Sequence, residues 1–243
     1  MELIIIFVLL PVSLSLSLPI YVKLGAVLLA VSYVLIVVAK TAMHAYGTAV
    51  LSNGLDEPST ESLFSRPFRK GGVSFPFMVL KRVLVLFSVF ALISTLFVAI
   101  YLPSKLFIVV SQAPMMWIAI IFVYVLLSVL PQEGLYRVFF FRRYRSLFFG
   151  EQHVNKTKRL FAKENVIFVT VNALLFSLAH LFFFNIIVLL LTFCGGVLFA
   201  STYLQSYKYR SAYLIICIEH ACYGLWLFTV GLGEMLAFPM PSD

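Results

Sequence analysis

Apolar residues run through this chain in long unbroken stretches rather than in the spaced pattern of a half-buried helix or strand. Leu3–Val22 holds no Asp, Glu, Lys or Arg, and neither does Leu24–Ala39 between Lys23 and Lys40. Val83–Ser104 and Leu106–Gln132 are the third and fourth such runs. Asn165–Tyr207 extends for 43 residues without a formal charge, about twice the ~20 residues that one spanning helix needs. It must hold two spans, with Asn185, after the aromatic run Phe182–Phe184, at the turn. Ser211–Gly233 is the last, interrupted by Glu219 and His220. The pattern predicts an all-α fold, a polytopic transmembrane helix bundle of about seven spans, within a range of about six to eight.

Composition agrees. Of 243 residues, 62% are hydrophobic and 12% charged, against roughly 45–50% and 25% in a soluble domain. The net charge of +8 does not point to nucleic acid, because the basic residues lie between apolar spans rather than in one soluble patch. With the N-terminus inside and seven spans threaded, sixteen of the 18 Lys and Arg fall in inside segments, and only Lys23 and Lys105 fall outside. That asymmetry is what the positive-inside rule demands. The expectation is a multi-pass protein of a cell membrane, a bacterial inner membrane first, with a cytoplasmic N-terminus. Only Glu2 precedes the first run, so there is no basic leader region and no A-x-A-like cleavage site. Leu3–Val22 is therefore read as a retained span, interrupted by Pro11 and Pro19. Cys194, Cys217 and Cys222, odd in number and inside apolar segments, form neither a disulfide framework nor a zinc knuckle.

Two inside segments are long. Thr41–Met78, with SNGLDEPSTES and RKGG, carries the chemistry of an exposed cytosolic loop. Arg142–Glu164 mixes RRYRSLFF with EQHVNKTKRLFAKE, and reads either as a basic amphipathic element on anionic lipid or as a plain connector.

The polar residues inside the spans carry the candidate chemistry. After 26 uncharged residues, Leu106–Pro131, come Gln132, Glu133 and Arg137. On a helix Glu133 and Arg137 share one face, and an ionisable pair beside a bilayer core is a functional-site hypothesis by default. His180 in FSLAHLFFFN, and Glu219 with His220 in CIEHACYGLW, lie on later spans. Unpaired, each would cost several kcal/mol in lipid, so they are expected to converge in a water-accessible polar cavity among the last four spans. A carboxylate beside two imidazoles has the parts for hydrolysis, with the carboxylate taking a proton from water and an imidazole stabilising an oxyanion. The same three side chains could ligate zinc with water in the fourth position. The lack of a short-spaced His pair favours the scheme with no metal and no cofactor. Depth is uneven: at about 1.5 Å per residue, Glu133 and His220 lie roughly 14–15 Å from the inner surface and His180 roughly 25 Å. A common site therefore requires the fifth span to begin in the cytosol or to tilt.

QEGLYR, FSLAH and HACYG, in that order across three spans, resemble the EExxxR, FxxxH and HxxxN motifs of the CPBP (CAAX protease and bacteriocin-processing) intramembrane proteases. The resemblance covers roughly Met115–Gly233, which makes 111–243 a CPBP-like protease core and 1–110 accessory spans with the loop near 41–78. It implies a metal-independent glutamic endopeptidase acting on a membrane-associated peptide or protein. By motif position it implies Glu133 and Arg137 as the glutamate and arginine of the first motif, His180 as a water-activating histidine and His220 as an oxyanion-hole histidine. Gln132 stands where the family has its first glutamate, and an amide is no base at neutral pH. Gly224 stands where the family has asparagine, with Tyr223 the nearest donor, about 100° away around the helix. Glu219 is a further supporting candidate. Gln132 keeps open an inactive scaffold or bacteriocin-immunity factor as the alternative, and the buried Glu and His also fit a proton-coupled transporter, although no broken repeated halves are present.

Overall fold

The computed structural model describes residues 1–19, 77–153, 163–207, 209 and 211–236, with scattered positions between 21 and 40. Nearly all of the predicted loop 41–78 lies outside the described residues, as do 154–162, Lys208, Arg210 and much of the predicted second span.

Among the described residues the chain is helical and without strands. Five helices among the described residues are long and apolar enough to cross a membrane, and the helical membrane bundle expected from the sequence is what is seen. The first predicted span appears as a shorter helix, α1 (Glu2–Ser15). Then come α2 (Phe77–Tyr101), a short α3 (Ile108–Gln112), and α4, continuous from Pro114 to His153. α5 (Lys163–Leu178), α6 (Ile186–Ser206) and α7 (Ala212–Val230) complete the bundle.

Two prolines shape these helices from within. A proline lacks the N–H of the helical ladder, and its ring collides with the carbonyl four residues back. Ahead of Pro11 the helix widens into a π turn at Ile5–Leu9, and ahead of Pro131 it does so at Val125–Val129. Each widened turn contains the carbonyl the ring would strike, of Phe7 and Leu127. A third π turn, Gly134–Phe139, follows Glu133 without a proline.

The basic ends of the helices gather on one side. Arg145 lies over the ring of Tyr207 at 5.0 Å, joining the last turns of α4 to the end of α6. On the opposite side Lys105 pairs with Glu234, and Gly231 closes α7 with φ +105°. A Cβ at Gly231 would come 2.0 Å from the Lys105 carbonyl oxygen, so backbone angle and space both demand glycine there. Asn185, expected at a turn, caps α6 by accepting from the Ile187 N–H at 2.9 Å.

Packing is aromatic near the site and close-set between α5 and α6. Phe7 of α1 is fully buried edge-on against Tyr136 at 5.2 Å and Phe140 at 5.3 Å. Glu2 fastens the start of α1 to α4, accepting from Arg143 Nη2 at 3.0 Å and from the Tyr144 hydroxyl at 2.9 Å. α5 and α6 approach closely because Gly196 faces Ala173, whose Cα would lie 2.9 Å from a Cβ at position 196. Trp226 on α7 donates to Ser94 on α2 at 3.1 Å, and Trp117 on α4 to Thr229 on α7 at 2.9 Å.

Candidate functional site

Four helices meet around one buried carboxylate. Glu133 is 0% exposed, as is Arg137 one turn later on α4. Charge at this depth persists only where it is paired, and both groups are. His220 Nδ1, from α7, lies 2.8 Å from Glu133 Oε1. Arg137 Nε lies 3.3 Å from Glu133 Oε2, an ionic contact rather than an aligned hydrogen bond. Arg137 donates through Nη1 to Asn172 Oδ1 at 2.9 Å, and Asn172 in turn donates to the Tyr136 carbonyl at 2.7 Å. The guanidinium lies 4.6 Å from the Phe176 ring centroid and 5.8 Å from that of Phe199, cation–π contacts that help a buried cation.

His180 sits in the turn after α5, where its Nδ1 lies 2.8 Å from the Phe176 carbonyl oxygen. A carbonyl only accepts, so Nδ1 carries a proton, and in the neutral ring Nε2 keeps its lone pair. The two imidazoles flank one phenyl ring, His180 at 4.9 Å and His220 at 5.6 Å from Phe176. His220 also stacks on Phe199 at 4.8 Å and 22°, and meets Tyr124 edge-on at 6.0 Å. The cluster is closed: His180 and His220 are 8% and 6% exposed.

α5 reaches this depth because its first turns pack beside the far end of α4. Phe168 meets Phe141 at 4.6 Å and Phe148 at 4.9 Å, Asn172 meets Tyr136, and Phe176 meets Arg137. α4 itself is far longer than one crossing. Its membrane-spanning part, the 35 residues Pro114–Phe148, at about 1.5 Å each exceeds the ~30 Å of a hydrocarbon core and carries the charged Glu133, Arg137 and arginine cluster at its far half.

The other candidates lie around this centre rather than in it. Gln132 donates from Nε2 to Ser128 on its own helix at 3.2 Å, and its Oε1 has no hydrogen-bond partner. Glu219 is 0% exposed; it lies within electrostatic range of Arg82 and close to Thr202, with neither oxygen in an aligned hydrogen bond. Arg82 itself donates to Thr202. Tyr223 packs against Phe87 at 5.7 Å and Phe90 at 5.0 Å on α2 and, at 6.0 Å, against Phe199, the ring on which His220 stacks; its hydroxyl is buried without a hydrogen-bond partner. Gly224 faces inward, where a Cβ would fall 1.9 Å from the Tyr124 hydroxyl. Asn172 and Tyr124 are not singled out by the sequence. Asn172 could have been, as a polar side chain inside a 43-residue uncharged run.

Among the described residues no group of three or more His, Cys, Asp or Glu side chains is arranged to hold a metal ion. Glu133 Oε1 and His220 Nδ1 are hydrogen-bonded to each other.

The arrangement defines a class: a multi-pass helical membrane protein with a buried carboxylate held by an imidazole and a guanidinium, and a second imidazole close by. The family model of type II CAAX prenyl endopeptidases, Rce1-like, matches residues 113–226, from the residue before α4 to within the last turns of α7. Over that stretch the chain is similar to that family, and the match points to CAAX-type intramembrane protease activity. No curated protein and no solved structure matches the chain.

Proposed function

We propose that this protein is an intramembrane endopeptidase that hydrolyses a peptide bond of a membrane-associated protein or peptide with water activated by Glu133, without a metal. The observation that carries the reading is the fully buried Glu133 carboxylate, held at 2.8 Å by His220 and 3.3 Å by Arg137. Glu133 takes a proton from water as the water oxygen attacks the scissile carbonyl carbon, and the carbonyl electron pair moves onto its oxygen. His180 Nε2 orients that water, and His220, its Nδ1–H given to Glu133, stabilises the charge on oxygen as the imidazolium through Nε2–H. Collapse of the tetrahedral species expels the amine, which receives its proton from Glu133. Arg137, fixed by Asn172, holds the carboxylate in place and does not touch the reacting atoms. Residues 111–243 form the protease core in this reading, with 1–110 accessory. The N-terminus and the basic helix ends face the cytosol of a bacterial inner membrane, and the partners are the lipid bilayer and the peptide substrate.

Glu133→Gln, which keeps the shape and removes the base, abolishes cleavage of a membrane-peptide library in proteoliposomes and leaves helicity by circular dichroism intact. Cleavage that survives Glu133→Gln overturns the mechanism, and inhibition by chelators removes its metal-free part. One observation favours a catalytically inactive scaffold or immunity factor instead: Gln132, an amide turned to Ser128, stands where the family motif has a glutamate. Gln132→Glu separates the two, since proteolysis gained only in that variant identifies the natural chain as the inactive form.

A further inference from the structure

Helix α7 has a notch one turn beyond His220, and a side chain from another helix fills it. At Gly224 a Cβ would stand 1.9 Å from the Tyr124 hydroxyl oxygen, 2.4 Å from Cζ and 2.6 Å from Cε1. The outer edge of the tyrosine therefore occupies the volume that a side chain at 224 would take. Positions 220 and 224 share a helical face, and the same tyrosine ring lies edge-on to His220 at 6.0 Å and 86°. Phe228, one further turn along α7, closes the other side at 5.4 Å. Tyr124 is also within electrostatic range of Glu133.

The placement follows from Pro131. Nine residues separate Tyr124 from Glu133, and in an uninterrupted α-helix that puts them about 180° apart. The π turn at Val125–Val129 absorbs about one extra residue, which brings the separation to roughly 80° and swings the tyrosine toward α7.

We propose that the Tyr124 hydroxyl, standing in the Gly224 notch, is the second hydrogen-bond donor to the oxyanion, beside His220. The hydroxyl donates without giving up its proton, so the balance of the reaction is unchanged. A phenol held by packing in a largely aromatic surround is a pre-positioned donor for developing charge. The inference rests on the protease reading above.

The test is kinetic, on the full-length protein in phosphatidylcholine–phosphatidylglycerol proteoliposomes. The probe is a library of transmembrane and farnesylated CAAX peptides read by mass spectrometry. Tyr124→Phe keeps the ring and its packing and removes only the donor. It is expected to lower kcat by about 10²-fold with KM within about 2-fold. In a vacated notch, Tyr124→Ala with Gly224→Asn supplies an amide donor and is expected to exceed Tyr124→Ala with Gly224→Leu in kcat by at least ~10-fold. If Glu133→Gln is inactive while Tyr124→Phe retains kcat within about 3-fold, the tyrosine only packs and the inference falls alone. If the wild-type chain cuts nothing in the library, or Glu133→Gln still cuts, the protease reading falls and this inference with it.

Discussion

Breaking the buried pair of Glu133 and Arg137 from one side should hurt the fold more than removing both charges. At 3.3 Å and an effective dielectric of about 20, the attraction is about 5 kcal/mol. Desolvation offsets much of that in the intact protein, so the net value of the pair is small. Arg137→Met removes the cation and leaves a carboxylate at 0% exposure with only His220 beside it, and Asn172 Oδ1 without its donor. The expected cost is about 3–5 kcal/mol. Glu133→Leu combined with Arg137→Met removes both charges and is expected to recover all but about 1–2 kcal/mol of the loss, the remainder reflecting the unpaired Asn172 and His220. The assay is reversible unfolding in mixed micelles, followed by helicity and by tryptophan fluorescence from Trp117 and Trp226. A double variant as unstable as the sum of the two single variants refutes the reasoning, since it would mean that the two groups act independently.

Gly196→Val should weaken the crossing of α5 and α6 by about 1–3 kcal/mol, because Ala173 already stands at 2.9 Å from where the new Cβ would sit; thermal unfolding in detergent measures it, and an unchanged midpoint refutes it. The hydrogen bond from Arg143 holds the Glu2 carboxyl below its ordinary range. A depressed carboxyl stabilises the fold above its unfolded value, and the contribution is lost as pH falls through the folded value. The hydrogen-exchange protection factors of α1, with the intrinsic pH dependence of amide exchange divided out, should therefore fall in acid by the equivalent of no more than about 1 kcal/mol. Glu2→Gln should remove that pH dependence, and persistence of it in the variant refutes the assignment.

The sequence shows the membrane class, the turn at Asn185 and the four side chains that carry the candidate chemistry, because each is written locally. Charge-free runs set the spans, and a Glu, an Arg and two His stand out against them. The unequal depth of His180 could not be resolved by counting residues, since counting assumes that each helix begins at the bilayer surface. In the structure α5 starts alongside the far end of α4, with Phe168 against Phe148. Asn172 escapes notice because its value lies in bridging Arg137 to a carbonyl on another helix. Tyr124 was hidden for a different reason: a regular 3.6-residue turn places it on the opposite face from Glu133, and only the π turn ahead of Pro131 brings it round.

Tyr124 and Gly224 also constrain how such a chain can change over generations. Any side chain gained at 224 collides with the tyrosine already there, and a smaller residue at 124 leaves an empty hole between two helices. A side chain gained at 224 is accommodated only where the Tyr124 ring swings out of the notch, because the atoms it meets are the outer edge of that ring. The two positions, a hundred residues apart in the chain, therefore set limits on each other's size.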